Sequence, residues 1–588
     1  MSSRILYRSL CPVVLAGVGL AAALPSWSAD SAPAGIAQKG TSTGLTLPPG
    51  FSATIFADKL GHARHMVISP GGVVYVNTWS GRYYGNDTPP TEGFLIALKD
   101  THGTGHADVK IRFGGNTKEG SAGGTGIALY HNALYVEEND RIVRYALTKG
   151  QIVPKGQPET IVSGLPLTGD HPMHPFAIDV DGNLYVDLGS ATNSCQEENR
   201  KGKSPGIKPC TELETRGGIW HYDANKTGQV FSPKERYATG IRNADGITID
   251  ASGHQVFATQ HGRDQLGDFA PLYKPEQGAQ LPAEELLKVD AGGDYGWPEC
   301  YYDDVQNKLV LAPEYGGDGG KIQGECANKQ GPVAAYGAHW APNDVVLYYG
   351  KQFPTAYQGG AFIAFHGSWN RAPFPQEGFN VVFQPLSNGK VSGQFVVFAD
   401  GFAGATKASG KATHRPSGVA VGPDGALFVS DDMKGRIYKI VYHGDLSAKI
   451  EAASTATSAN GGKTGAPPEG VHPNAGGTST ASLPTPAGAT AEQVALGARI
   501  FSGAIGSAPC SGCHGTDGSG TPLGPDLTSG KYLWSDGSVA GITKTITDGV
   551  PKPKNHTGVM PPMGGAQLTP DQVKAVAAYV AALGHAGK

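Results

Sequence analysis

One phrase recurs along the first three quarters of the chain and limits what it can become. "HMVISPGGVVYVNTW" begins at His65, "GIALYHNALYVEENDRIVRY" at Gly126 and "PFAIDVDGNLYVDLGS" at Pro175. "ADGITIDASGHQVFATQHG" begins at Ala244, "GVAVGPDGALFVSDDMKGRIYKIVY" at Gly418, and a weaker copy, "GAFIAFHGSWN", at Gly360. The phrase is a short apolar strand, a turn, built on Asp-Gly or Pro-Gly in the copies at His65, Pro175 and Gly418, and a second strand of alternating apolar residues. That is the signature of a β-hairpin. Hairpins repeated at broad, uneven intervals, with no helical periodicity between them, predict an all-β propeller of six blades over residues 37–445. Such a fold gathers its loops around a central channel, a place suited to a buried cofactor.

The repeats stop before residue 446. Residues 446–487 are rich in Ala, Gly, Ser, Thr and Pro and nearly free of large apolar side chains. Such a segment cannot bury a core and reads as a flexible linker. Residues 488–588 then change period. Val494, Ala498, Ile500 and Phe501 have helical spacing. So do Val573, Val576 and Val580, behind Thr569 as N-cap and Gln572 at its third position. The chain therefore reads as multidomain, a propeller followed by a small all-α domain. Its 588 residues exceed what one domain normally uses.

The N-terminus carries Arg4 and Arg8, a short apolar run from Val13 to Leu24, and the small residues Ser26, Ser28 and Ala29. Residues 1–29 are expected to be a secretory signal peptide, because the run is too short to span a bilayer. No later stretch is apolar and long enough to span. The expected location is the periplasm, and the expected partners include no nucleic acid, since a net charge of −4 offers no basic footprint. Cys11 leaves with the leader. Four of the remaining cysteines form two local pairs, and an oxidising compartment predicts the disulfides Cys195–Cys210 and Cys300–Cys326, with free or metal-binding thiols as the alternative.

The last two cysteines stand in "CSGCH", Cys510 to His514. Two thiols three residues apart can add to both vinyl groups of a haem, and the adjacent histidine lies under the iron. Cys510 and Cys513 are the expected covalent attachment and His514 the expected proximal ligand. The second axial ligand is expected from "HTGVMPPMGG", with Met560 first and Met563 or His556 as alternatives. The zone resembles a class I cytochrome c domain. A haem with both axial positions filled carries electrons and does little other chemistry, so catalysis is expected upstream.

Residues 45–443 resemble the glucose/sorbosone dehydrogenases, six-bladed propellers that bind pyrroloquinoline quinone (PQQ) and calcium and oxidise sugars. The resemblance rests on "GDHPMHPFAIDVDGNLYVDLGS", "GIRNADGI", "TQHGRDQLGD", "EELLKVDAGGDYGWPECY", "AFHGSWNRAP" and "HRPSGVAVGPDGALFVSDD". The "HGSWNR" motif with a fused cytochrome is most similar to the sorbosone and pyranose dehydrogenase branch. It implies a catalytic base ten residues before Asp181, which is His171, with His174 as the alternative and Arg242 beside it. Quinone contacts are implied for Arg64, Arg242, Asn243, His366, Trp369, Asn370, Arg371 and Arg415, since a ligand with three carboxylates calls for guanidinium forks. Calcium is implied in the region of Gly262, Arg263, Asp268, Glu285 and Tyr295. The implied substrate is an aldose or sugar aldehyde. The implied final acceptor is an external cytochrome or quinone of a respiratory chain. Rival readings are a metal-dependent lactonase and a non-enzymatic binding propeller with a cytochrome relay. The eight-bladed quinohaemoprotein alcohol dehydrogenases use adjacent cysteines, and this chain has no Cys-Cys pair.

Overall fold

In the computed structural model, an N-terminal strand closes a ring that the last strands began. Phe51–Ala57 pairs antiparallel with Arg436–Tyr442, Phe51 opposite Tyr442, and so completes a blade with Pro416–Val421 and Leu427–Asp431. The structure describes residues 43–78, 92–115, 124–372, 374–451, 483–502, 510–515, 518–520, 524–556, 559–566 and 568–586. Thr41–Lys588 forms one compact unit. The expected signal peptide lies outside the described residues, as does most of the expected linker.

Six sheets follow one another as the hairpins predicted, antiparallel except where Gln229–Val230 joins the edge strand Glu159–Ser163 of the second in parallel. The first blade runs Ala63–Ile68, Val74–Thr78, Leu95–Lys99, Val109–Phe113. The second begins at Ile127–Tyr130, the third at Phe176–Ile178, the fourth at Ile247–Ile249 and the fifth at Pro342–Leu347. The third shows why the Asp-Gly phrase folds as it does. Asp179 Oδ1 accepts from the backbone N–H groups of Asp181 and Asn183 at 2.9 and 2.8 Å. Gly182 takes φ +90° in the turn between them, where a Cβ would come within 2.3 Å of the Asn225 amide. The fifth blade departs from the repeat. "GAFIAFHGSWN" holds its second strand, Ala361–Phe365, and the first is Pro342–Leu347. The connection between them, residues 348–360, replaces the tight turn, which is why the phrase is weak there.

Strand alternation sends one face of each blade against its neighbour. Val74, Val76, Ile96 and Leu98 of the first blade pack on Ala420, Phe428 and Ile437 of the last. The other five junctions are filled in the same way by buried aliphatic and aromatic side chains. Apolar burial therefore closes the ring, and the polar ends of the inner strands are left around the axis.

The disulfides Cys195–Cys210 and Cys300–Cys326 are both formed, with sequence separations of 15 and 26. Replacing Cys195 and Cys210 by alanine should lower stability by about 3 kcal/mol, the chain-entropy value for such a loop. Chemical denaturation under oxidising conditions measures it, and an unchanged midpoint would show that the loop is held by its other contacts alone.

The C-terminal region is helical, with Ala491–Phe501, Cys510–His514, Val539–Asp548 and Pro570–Ala586. Thr490 with Gln493, and Thr569 with Gln572, form capping boxes. The first and last helices cross where Gly497 lies so near Ala575 that a Cβ would collide with its carbonyl oxygen. Phe501 and Tyr579 meet there at 5.3 Å between ring centres. Packed structure reaches into both ends of the expected linker. The Leu446 carbonyl accepts from Thr355 N–H at 2.8 Å, Ala448 and Ile450 pack on the propeller, and Leu483 packs on the helical core. No helix among the described residues is long and apolar enough to cross a membrane.

Candidate functional site

The inner-strand ends and loops of the propeller open into a cavity of about 530 Å³, and the helical region supplies its other wall. Arg64, His171, Arg242, Asn243, His366, Trp369, Asn370 and Arg415 line one side; Cys510, Cys513, His514 and Met560 line the other. Gln265 and Asp268 stand at the junction, where Gln265 Nε2 donates to Asp268 Oδ2 at 3.2 Å and to the Gly565 carbonyl at 3.4 Å.

His171 is buried. Its Nδ1 lies 2.9 Å from both the carbonyl and the hydroxyl oxygen of Ser190. A carbonyl only accepts, so Nδ1 carries the proton and Nε2 keeps the lone pair. Burial, and then the Arg242 charge, hold its pKa well below the ordinary imidazole value, while Asp170 opposes them. The ring is therefore neutral and able to take a proton. Gly189 permits its position, because a Cβ there would lie 2.7 Å from both His171 Cβ and Asn243 Oδ1. His174 differs. Its Nδ1 is 3.1 Å from Glu137 Oε1 and its Nε2 is 2.9 Å from the Pro166 carbonyl. Both nitrogens face acceptors, so the ring braces a loop and offers no free base.

Two carboxylates organise the cations. Asp264 Oδ2 accepts from Arg242 Nη2 at 3.1 Å and Arg200 Nη1 at 3.0 Å, and its Oδ1 from Asn370 Nδ2 at 2.6 Å. Burial would raise its pKa, but Arg242 and Arg200 override it and hold it far below the usual carboxylate range. Asp432 accepts from Arg64 Nη1 at 3.0 Å and lies 2.9 Å from His366 Nε2. Burial, then Arg415, pulls His366 down to about 4. Arg415 donates to the His366 and Gly367 carbonyls and lies over the Phe379 ring. Arg371 is turned away from the cavity. Its guanidinium is engaged by the Ala279, Ala338 and Pro375 carbonyls, so it holds loops together.

The residues fit a planar polyanion. Arg64, Arg200, Arg242 and Arg415 line the propeller side among the carboxylates of Glu137, Asp170, Asp245, Asp264 and Glu284, and the buried side-chain oxygens of Asn243 and Asn370, acceptors with no partner, call for a hydrogen-bond donor on a ligand. The five residues of the calcium region do not converge. Gly262, Arg263 and Glu285 surround a small adjoining void. The Gly262 carbonyl already accepts from Arg242, Arg263 pairs with Glu314, and Glu285 Oε2 has no partner. Burial pushes Glu285 up to about 8. Asp268 accepts from Gln265 Nε2, and Tyr295 donates to the Lys288 carbonyl inside its own blade. Among the described residues no group of three or more His, Cys, Asp or Glu is arranged to hold a metal.

The helical wall fits a haem. Burial pushes the thiols of Cys510 and Cys513 up to about 12 and about 11. His514 Nδ1 donates to the Pro525 carbonyl at 3.0 Å, which leaves the Nε2 lone pair for a metal. Ile542, Ile546, Val559, Val576 and Val580 supply apolar lining. Met560 lines the cavity, its backbone pinned to Val550 in both directions. His556 lines it as well, and its buried Nδ1 has no partner; Met563 is not part of the wall.

Arg200, Asp170, Asp264 and Asp432 escaped the sequence reading. "HGRDQLGD" contains Asp264, but its neighbours were the residues singled out. Arg200 sits in a loop with no repeat signal.

Against known proteins, a family model described as TrAA12-like matches residues 45–443, and one described as cytochrome c oxidase, cbb3-type, subunit III matches residues 493–580. The AA12 carbohydrate-active enzyme of Trichoderma reesei aligns at 17% identity with a TM-score of 0.53, covering 68% of this chain and 97% of that one. The PQQ domain of pyranose dehydrogenase from Coprinopsis cinerea aligns at 18% and 0.53, with the same coverage. These likenesses show the propeller fold. A cbb3-type oxidase subunit CcoP from Rubrivivax gelatinosus is 38% identical over 92 residues, 16% of this chain and 26% of that protein. The chain spans about half or less of the length of the curated relatives it matches.

Proposed function

This chain belongs to the TrAA12-like family, and on that premise we propose that it is an exported quinohaemoprotein that oxidises an aldose or a sugar aldehyde of the sorbosone or pyranose type. The observation that supports this reading most is the single cavity, walled by the propeller's cationic residues on one side and by the haem-motif residues on the other. PQQ, when bound, supplies a two-electron hydride acceptor, and haem c supplies a one-electron relay. His171 takes the hydroxyl proton of the substrate on Nε2 as the C1 hydrogen leaves with its electron pair. Arg242, fixed by Asp264 and Asn193, holds positive charge beside that base. Arg64, Asn243, His366, Trp369, Asn370 and Arg415 hold and orient the quinone. Cys510, Cys513, His514 and Met560 would hold the haem, which would supply one-electron relay to an external respiratory acceptor. Residues 1–29 are proposed as the leader that delivers the chain to the periplasm. The linker raises the local concentration of the relay to about the millimolar range.

The haem-bearing protein, loaded with PQQ and calcium and mixed anaerobically with a panel of aldoses and sorbosone, should develop the reduced c-type band with a subset of sugars. Omission of PQQ should abolish the response. A band raised by dithionite but by no sugar, with no quinone bound, would sink the dehydrogenase reading. The propeller would then be a binding or hydrolytic domain.

A further inference from the structure

The loop closed by Cys195–Cys210 carries a side chain into the cavity. Arg200 adopts φ +60°, a left-handed backbone that non-glycine residues rarely take and that persists where the surroundings demand it. Arg200 Nε donates to Asp170 Oδ2 at 2.8 Å, and Nη1 donates to Asp264 Oδ2 at 3.0 Å. Asp170 precedes His171. Asp264 holds Arg242 and Asn370. On the facing wall of the same cavity stands Cys513.

We propose that Arg200 is a positioning residue shared by both halves of the cavity: it fixes the carboxylates of Asp170 and Asp264 beside the base and Arg242, and it brings a positive charge into the cavity that the haem-motif residues also line. The proposal rests on the quinohaemoprotein reading of that cavity. Its consequences differ on the two sides. Reducing a haem adds an electron, so a nearby cation favours the reduced form and raises the potential. Removing Arg200 leaves Asp170 and Asp264 with less compensation and moves the potential down. At His171 the charges that face the ring are Asp170, Arg200 and Arg242. Loss of Arg200 leaves the imidazolium form better supported, and the acid limb of activity moves up.

The test uses full-length, haem-bearing protein as the parent, Arg200→Leu and Arg200→Lys. The first readout is the haem midpoint potential, measured by titration with chemical reductant without quinone or sugar. It should fall in Arg200→Leu and recover most of the way in Arg200→Lys. The second is the pH dependence of sugar oxidation with PQQ and a soluble artificial acceptor that bypasses the haem. The acid limb should rise by roughly half a pH unit or more in Arg200→Leu, the scale of one partly screened charge. Should the leucine variant fail to fold, Arg200→Gln makes the same charge change and is read in the same way. A parental potential overturns the haem half of the proposal, and an unmoved acid limb overturns the His171 half. A parent protein that never reduces with sugar sinks the dehydrogenase reading instead, and the potential still decides Arg200.

Discussion

His171→Ala should lower sugar-dependent haem reduction by about 10²–10⁴-fold, the usual contribution of a positioned general base. Dithionite should still reduce the haem fully, because the substitution lies on the propeller wall. The expectation follows from the ring's bonding. Nδ1 donates to the Ser190 carbonyl, so the basic nitrogen is Nε2, and the neighbouring histidine His174 has both nitrogens engaged. The pH profile tests the same point. A base whose pKa is depressed by burial and Arg242 is neutral, and active, throughout the range in which a free imidazole would titrate. Activity should be flat down through pH 6.5 and fall only below it. An acid limb centred near 6.5, or full activity in His171→Ala, would assign the proton to another group.

The blades were readable because the hairpin has a period and its turn has a chemistry. Asp179, Asp181 and Gly182 are local instructions, and so are the capping boxes at Thr490 and Thr569. The haem motif is equally local, with both thiols and the histidine inside five residues. What escaped the sequence reading is what no local pattern encodes. Asp264 gathers Arg200, Arg242 and Asn370 from three separate loops. Arg371 looks equivalent to Arg415 in sequence, yet the carbonyls around it turn its guanidinium away from the cavity. The expected calcium residues include Tyr295 because a motif places it there, whereas its hydroxyl closes a turn within its own blade. The shared cavity is a property of two zones more than 250 residues apart, from Asp264 and Gln265 to Met560 and Gly565, and no periodicity announces it.

A second large effect is expected at the helical wall. Replacing both Cys510 and Cys513 by serine should remove covalent haem altogether, since both thioether bonds are lost. The propeller has its own closed ring of apolar junctions, none of which includes a residue of the helical core. PQQ-loaded double variant should therefore keep oxidising sugar with a soluble artificial acceptor at near-parental rate. Transfer to a protein acceptor should fall by about 10²-fold or more, because a tethered relay is replaced by chance encounter. The helical region should also lose stability. Ile542, Ile546, Val576 and Val580 line the slot as well as the core, so an empty slot deprives their side chains of packing. Calorimetry should then show the helical transition moving to lower temperature while the propeller transition stays in place. Loss of sugar oxidation even with the artificial acceptor would show that the helical wall shapes the substrate site, and the two functions could not then be assigned to separate halves of the cavity.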